Sequence, residues 1–242
     1  MKRLLILLLC LLRLAPALAE EAWVFGRSEQ GRELTVHRVG NGEAAALMVF
    51  AVHGFEDKYD RDGQVLADIA HALLELCRQD PSVLNGHTLY VVPCLNPDGL
   101  AEGRSANGFG RCNASGLDIN RDFPVEWTQK ESSRNKTGDA PFATAEARAL
   151  RDLVAEIRPV CAVDVHGWIN GVYGHADMAA CFQQAFGFAY RAYRGGGMLA
   201  QWLEEETGAA VLVELPGNPY RDDFVQTCAS RLVQGLSAWL NR

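Results

Sequence analysis

The stretch AAALMVFAVHGFE (residues 44–56) determines which type of fold this chain can adopt. Its first seven residues are apolar without interruption, which is typical of a strand buried on both faces of a parallel sheet. The apolar run ends at a turn around Gly54, and apolar residues at helical spacing follow from Asp62 to Arg78. The stretch therefore predicts a β–α unit, with His53 and Glu56 at the end of the strand.

His53 and Glu56 are three residues apart, and at a strand end both side chains can reach one metal ion. Zinc accepts imidazole nitrogen and carboxylate oxygen, and a catalytic zinc site combines three protein ligands with one open position for water. The pair alone is a weak signal, because His-x-x-Glu is common by chance and a histidine at a strand end is often structural. The metal hypothesis therefore requires a third ligand and a general base elsewhere in the chain.

The first 19 residues have the features of a secretory signal peptide. A basic start (Lys2, Arg3) precedes an apolar run that is too short to span a bilayer, and Ala17-Leu18-Ala19 forms a small-x-small cleavage site. We expect residues 1–19 to be removed and residues 20–242 to form one domain with an ample core. The mature protein is then secreted, periplasmic or part of the cell envelope.

The charge of the chain argues against nucleic acid as a partner. The full chain has a net charge of −7, and removal of residues 1–19 takes away three basic residues and no acidic ones, which gives −10. We expect a monomer with no membrane span in the mature chain.

Six cysteines remain after removal of residues 1–19, an even number that permits disulfides in an exported protein, although Cys94 and Cys161 lie in apolar runs typical of buried thiols.

Strands and helices alternate along the rest of the chain, which predicts an α/β fold with a mixed, largely parallel central sheet flanked by helices. Gly40-Asn41-Gly42 predicts a hairpin turn between the first two strands. Residues 100–143 show no periodicity, which is typical of a functional or disordered region. The predicted strands are 33–39, 44–52, 88–94, 160–165 and 209–215. The predicted helices are 62–78, 144–158 with Thr144 as its cap, a short one from 179, 197–207 and 222–240.

Polar motifs follow four of the apolar runs, where the carboxyl ends of parallel strands would meet at one crevice. They are His53 with Glu56, the turn signature Asn96-Pro97-Asp98-Gly99, the segment Asp164-Val165-His166-Gly167, and Glu214. Together with Gly-Leu-Asp-Ile-Asn-Arg-Asp-Phe at 116–123, this order of motifs resembles the zinc metallocarboxypeptidases of the carboxypeptidase A superfamily. The resemblance covers nearly all of the mature chain, and the compact size is similar to the bacterial murein peptide amidase branch.

The resemblance implies a zinc carboxypeptidase-like α/β/α sandwich and a catalytic role for residues 20–242. It implies that His53, Glu56 and His166 bind one zinc ion and that Glu214 is the general base. The alternative for Glu214 is a solvent-facing carboxylate on an edge strand. Asp164, two residues before His166, either orients that imidazole or is an ordinary polar residue at the strand end.

The remaining roles also come from the resemblance. Arg111 corresponds to the arginine that stabilises the oxyanion, with Arg104 as the alternative, and Asn120 and Arg121 correspond to the pair that binds the substrate's terminal carboxylate. Tyr193, with Tyr190 nearby, corresponds to the family's mobile tyrosine. Among Met198, Leu199 and Ala200, which follow, no acid is present to select a basic substrate side chain.

The leading hypothesis is an exported zinc metallopeptidase that hydrolyses an amide bond next to a free carboxylate through a zinc-activated water. The compact form and the signal peptide favour bacterial cell-wall peptides, such as those containing diaminopimelate, as substrates. The alternatives are a general carboxypeptidase on ordinary peptides, an aspartoacylase-like deacylase of N-acyl amino acids, and a catalytically dead peptide-binding module.

Overall fold

The computed structural model describes residues 21–104, 109–217 and 221–242. The predicted signal peptide lies outside these residues. Within them the strands are β1 (Glu21–Arg27), β2 (Glu33–Val39), β3 (Ala45–Phe50), β4 (Thr88–Val92), β5 (Cys161–Gly167), β6 (Gly171–Gly174), β7 (Ala189–Tyr190) and β8 (Ala210–Leu215). The α-helices are α1 (Asp62–Gln79), α2 (Pro97–Glu102), α3 (Ala145–Ile157), α4 (Ala176–Phe186), α5 (Leu199–Thr207) and α6 (Phe224–Leu240).

The strands form one mixed sheet in the order β1-β2-β4-β3-β5-β8-β6-β7. The four central strands β4, β3, β5 and β8 are parallel to one another, whereas β2 pairs antiparallel with β4, and β6 pairs antiparallel with β8. Helices α1, α4 and α6 cover one face of this sheet, and α3 and α5 cover the other. The predicted fold class, a largely parallel sheet between helices, is confirmed.

The burial of the central strand β3 on both faces explains why its sequence is apolar throughout. All six of its residues are buried. Met48 and Phe50 belong to the core beneath α1, α4 and α6, whereas Leu47 and Val49 belong to the core beneath α3 and α5. Since successive side chains of a strand point to opposite faces, a strand covered on both sides needs apolar residues at every position.

The hairpin predicted at Gly40-Asn41-Gly42 is wrong. Strand β4 lies between β2 and β3, so the two strands flanking this turn are not paired. The parallel partners β4 and β5 occupy both edges of β3, which leaves β2 no place beside it. Gly42 instead allows close approach to another turn: a Cβ atom there would overlap the carbonyl group of Gly86.

The short elements also differ from expectation. Strands β1, β6 and β7 are absent from the strands that the sequence predicted, and Asn96-Pro97-Asp98-Gly99 starts helix α2 instead of forming an isolated turn. The Asn96 side chain caps this helix by accepting a hydrogen bond from Gly99 N at 2.9 Å. The predicted cap of α3 is confirmed, since Thr144 Oγ1 accepts from Ala147 N at 3.1 Å.

The six cysteines of the described residues are free thiols. Cys161 is fully buried, and burial raises the pKa of its thiol to about 12. Burial has the same effect on Cys94, whose pKa is also raised to about 12. Both thiols behave as small apolar core groups. Over the residues that the structure describes, no helix has the length and apolar character needed to cross a membrane.

Candidate active site

The parallel strands bring the predicted site residues together at the carboxyl ends of the central strands. His53 follows the end of β3, His166 lies near the end of β5 and Glu214 near the end of β8. His166 and Glu214 are direct neighbours in the β5–β8 register. Because β8 is paired on both sides, by β5 and β6, the alternative of a Glu214 side chain on an edge strand is wrong.

His53, Glu56 and His166 form a compact, buried cluster. One oxygen of the Glu56 carboxylate lies 3.0 Å from His53 Nδ1, and the other lies 2.8 Å from His166 Nδ1. The potential ligand atoms of the three side chains all lie within 4.8 Å of one another. The structure therefore brings together the three side chains for which the sequence predicted a shared metal ion.

The outer nitrogens of the two imidazoles face carboxylates. His53 Nε2 is 3.0 Å from Asp118 Oδ1, and His166 Nε2 is 3.0 Å from Asp164 Oδ1, the latter at ion-pair distance without good hydrogen-bond alignment. A carboxylate oxygen accepts a hydrogen bond from a protonated nitrogen, so the Asp118 contact favours the His53 tautomer that is protonated at Nε2. That tautomer leaves the His53 Nδ1 lone pair directed toward Glu56, as a metal ligand requires.

The electrostatics of the cluster favour a positive charge between the side chains. Burial opposes ionisation of Glu56, yet His53 and His166 hold the pKa of its carboxyl well below the ordinary value. Burial also opposes charge on His166, but Asp164 and Glu56 raise the pKa of that imidazole well above its usual value. An ionised carboxylate between two imidazoles fits a zinc site of the His₂Glu type.

Asp62 holds the loop that carries His53 and Glu56, a role that sequence analysis missed. Its fully buried carboxylate accepts hydrogen bonds from the backbone N–H groups of Glu56 at 2.7 Å, Lys58 at 3.0 Å and Tyr59 at 3.1 Å. It also accepts one from the indole N–H of Trp168 at 3.1 Å. The available signal was an acid in the first turn of the helix that follows the motif, but helix-start acids are common.

Asp118 is the second residue that sequence analysis missed. It was quoted only as part of the motif at 116–123, yet it is fully buried and contacts His53 Nε2. Burial opposes its ionisation, but the charges of His53 and Arg111 and the hydrogen bond from His53 hold the pKa of its carboxyl well below normal. The Asp118 carboxylate also accepts a hydrogen bond from Asn120 N at 2.9 Å, which links it to the next predicted site residue.

Arg111, Asn120 and Arg121 lie around the same space. Arg111 Nη1 is 3.5 Å from Glu56 Oε2, and Asn120 Nδ2 is 3.3 Å from His166 Nε2. Asn120 is oriented by the start of α5, because its Oδ1 accepts from Leu199 N at 2.9 Å. Arg121 Nη1 donates to the Asn120 carbonyl oxygen at 2.6 Å.

Glu214 is a carboxylate beside the cluster with an unused oxygen. Its Oε2 is buried and has no hydrogen-bond partner, whereas both oxygens of Glu56 contact histidines. Burial raises the pKa of Glu214 to about 8, and the positive charge of His166 opposes that shift. A half-buried carboxyl with a raised pKa beside a potential metal site is a candidate general base.

These side chains line a cavity of about 230 Å³, which we call the active-site cavity. It contains every predicted site residue except Tyr193. The Tyr193 ring stacks on Tyr173 at 5.9 Å between centroids, and its hydroxyl is buried without a partner in a neighbouring cleft. Arg104 lies on the surface and pairs with Glu102 at 3.3 Å, so the structure favours Arg111 over this alternative. The predicted residues that line the cavity are His53, Glu56, Arg111, Asn120, Arg121, His166 and Glu214.

The Asp118 contact yields a test of the cluster as a metal site. We expect Asp118→Asn to lower zinc affinity by about 10- to 100-fold, as is typical when the carboxylate behind a histidine ligand is lost. The measurement is a competition titration against a chromophoric chelator. Asp68→Asn, on the exposed face of α1, is the matched control and leaves the affinity unchanged. An Asp118→Asn protein that folds and binds zinc within twofold of the parent contradicts this role.

Comparison with known proteins places the chain in a family. The family model for zinc carboxypeptidases, Peptidase_M14, matches residues 15–181. Among curated proteins the chain is 36% identical over 203 residues to bacteriocin BCN5 of Clostridium perfringens, which covers 81% of this chain and 23% of the bacteriocin. It is 28% identical over 154 residues to murein peptide amidase A of Escherichia coli K12, which covers 56% of this chain and 60% of the amidase.

Solved structures with the same fold include carboxypeptidase A from Helicoverpa armigera, with a TM-score of 0.77, 17% identity, and coverage of 93% of this chain and 69% of that one. Murein-tripeptide amidase from Escherichia coli O157 has a TM-score of 0.62, 22% identity, and coverage of 91% and 92%. The chain spans less than two thirds of the two curated relatives above, and these structural likenesses establish the fold alone. The family match covers more than half of the sequence, and the chain therefore belongs to the zinc carboxypeptidase family.

Proposed function

We propose that this protein is a zinc-dependent peptidase that hydrolyses an amide bond next to a free carboxylate, with bacterial cell-wall peptides as its substrates. One observation carries the proposal. A carboxylate with an unused oxygen, Glu214, lies beside the His53–Glu56–His166 cluster in a cavity that also contains Arg111 and Arg121. A metal site, a base and fixed cations in one cavity are the groups that amide hydrolysis requires.

In this proposal His53, Glu56 and His166 hold one zinc ion. Zinc at such a site lowers the pKa of a water molecule and polarises a carbonyl group. The protein's own contribution is the fixed geometry of the ligands, because Asp118 and Asp164 lie behind the two imidazoles.

Glu214 takes the proton from the attacking water and transfers it to the nitrogen of the leaving amine. The free oxygen of its carboxylate supports this role, since a base already engaged in hydrogen bonds would have to release them first. Its raised pKa supports the second half of the step, because the protonated carboxyl must persist long enough to act as an acid.

The arginines supply positive charge at two places. Arg111, nearest to Glu56, stabilises the negative oxygen that develops as the amide carbon becomes tetrahedral. Arg121 and Asn120 bind the free carboxylate of the substrate, for which the planar guanidinium is suited. Tyr193 lies outside the active-site cavity in this conformation and reaches a carboxylate held by Asn120 and Arg121 only if its segment moves.

Two observations favour cell-wall peptides as the substrate class. The name of one relative, murein peptide amidase A, specifies amide bonds in cell-wall peptides. The signal-peptide features of residues 1–19 support export to the compartment where such peptides occur. Export argues against an aspartoacylase-like deacylase, whose substrates are mainly intracellular. The complete set of candidate catalytic side chains around one cavity argues against a dead binding module.

The test of the activity is product analysis by mass spectrometry. Zinc-loaded mature protein is incubated with ordinary peptides, wall-derived peptides and N-acyl amino acids, beside a Glu214→Gln protein. We expect the parent to cleave wall peptides and the variant to lose about 10²- to 10⁴-fold in rate, because the proton transfer is lost while the zinc ligands remain.

Each other outcome has a definite meaning. Cleavage of ordinary peptides from the carboxyl end keeps the mechanism and rejects the wall substrate. Equal turnover by parent and variant rejects Glu214 as the base. No turnover of any substrate by a protein with one bound zinc rejects the proposed activity in favour of the binding module.

The pKa of Glu214 predicts the direction of the pH dependence. The base acts only as a carboxylate, so kcat/KM rises as pH rises through its pKa and is lost below it. Burial raises this pKa from 4.5 to about 8, and the charge of a bound dication lowers it again. We therefore expect the acidic limb of the kcat/KM profile to lie between these values, and Glu214→Asp to move it. A limb that Glu214→Asp leaves in place, with zinc retained throughout, contradicts the assignment.

A further inference from the structure

A second cavity adjoins the active-site cavity on the side of β6 and the segment that precedes α5. Its volume is about 380 Å³, and we call it the side cleft. Ile169, half exposed, lines both cavities, so they meet at this residue. The side cleft is lined by Ile169, Tyr173, Arg191, Ala192, Tyr193 and Arg194.

The side cleft begins next to the residues assigned to the substrate's terminal carboxylate. Met198 and Leu212 line the active-site cavity and also pack in one cluster with Tyr173 and Tyr193 of the side cleft. The residue after Met198 donates its backbone N–H to Asn120. The side cleft therefore lies within reach of a substrate residue held by Asn120.

Gly171 has no side chain, and this leaves room for Arg191, one of the two arginines of the side cleft. Gly171 lies directly opposite Glu214 in the β6–β8 register. A Cβ atom at Gly171 would lie 2.7 Å from both Cδ and Nε of Arg191, so the arginine crosses β6 where a larger residue would block it. The backbone of Arg191 is fixed by its N–H bond to Val172 O at 2.8 Å, and its Nη2 donates to Ile169 O at 3.4 Å.

The guanidinium groups of the side cleft have no acidic partner among the residues that the structure describes. Among the described residues, no carboxylate lies within ion-pair distance of Arg191 or Arg194, whereas Arg134 at the active-site cavity pairs with Asp57. Burial and the charge of Glu214 raise the pKa of Tyr173, and both arginines act in the opposite direction, which indicates that their charge reaches this phenol. Glu204, whose charge raises the pKa of the Tyr193 phenol, lines a further cavity that Tyr193 shares.

The charge of the two cavities contrasts with that of the whole chain. The chain carries a net charge of −7, yet the described residues that line the two cavities include six basic side chains and only two carboxylates, Glu56 and Glu214. Clustered charge in a cleft concentrates ligands of the opposite sign. The basic residues are Lys58, Arg111, Arg121, Arg134, Arg191 and Arg194.

We propose that the side cleft binds a second carboxylate of the substrate, at the end of the side chain of its terminal residue, through Arg191 and Arg194. This inference rests on the proposed function, which assigns the terminal α-carboxylate to Asn120 and Arg121. The preferred substrates then end in a residue with an acidic side chain, and one carboxylate is held at each end of that residue. Guanidinium groups suit this role because their planar fork binds a carboxylate with two hydrogen bonds.

The test is binding, measured by calorimetry, to zinc-loaded Glu214→Gln protein, which keeps the cleft but lacks the base. The probes are two pairs of short peptides, ending in glutamate or glutamine and in diaminopimelate or lysine, which differ in the presence of a side-chain carboxylate. We expect the acidic member of each pair to bind about tenfold more tightly, as for a charge-assisted hydrogen-bonded pair. Adding Arg191→Gln and Arg194→Gln removes this preference.

The matched control is Arg231→Gln on α6, whose guanidinium lies over the Phe186 ring outside both cavities, and it leaves the preference unchanged. Arg194→Glu inverts the preference within the diaminopimelate and lysine pair. Equal binding of both members of each pair, or a preference that survives loss of both arginines, overturns the inference. Because the readout needs no turnover, a clear preference together with a parent that cleaves none of these peptides rejects only the proposed activity.

Discussion

The parallel alignment of β3, β5 and β8 is the constraint on which the site depends. Each strand is buried on both faces, so its register is fixed by apolar contacts with two layers of helices. Those contacts bring His53, His166 and Glu214 to the same edge, with His166 and Glu214 side by side. A slip of one residue in β8 would turn Glu214 away from the cavity and place an apolar side chain beside His166.

The site concentrates buried negative charge, and the protein compensates each group differently. Glu56 lies between two imidazoles, and Asp118 contacts His53 and lies near Arg111. Asp62 accepts hydrogen bonds from three backbone N–H groups and one indole N–H. Asp164 makes no aligned hydrogen bond and relies on His166. Buried carboxylates are unfavourable without such partners, so this charge indicates a site built to hold a cation. Positive side chains line the active-site cavity, where an anionic substrate would enter.

Much of this arrangement was readable from the sequence, because uninterrupted apolar runs identify doubly buried strands and the polar residues after them mark the strand ends. Periodicity also identified α1, and residue type identified Thr144 as the cap of α3. Sequence patterns missed β1, β6 and β7, which are short or partly exposed. The Gly-Asn-Gly turn signal predicted a hairpin where β4 intervenes, since pairing partners are set by tertiary contacts. Asp62, Asp118 and the approach of Arg191 to Gly171 were invisible for the same reason. Each depends on contacts between segments distant in the sequence.

The central claim is that His53, Glu56 and His166 bind zinc in one mononuclear site. The most direct test is X-ray absorption fine structure of the protein loaded with one equivalent of zinc. We expect two imidazole nitrogens and additional oxygen scatterers in the first shell, with loss of the imidazole signal in a His53→Ala, His166→Ala protein. The six free cysteines of the described residues provide the competing ligand type. Sulfur scatterers in the first shell, or a spectrum unchanged by the double substitution, would rule out the His53–Glu56–His166 zinc site.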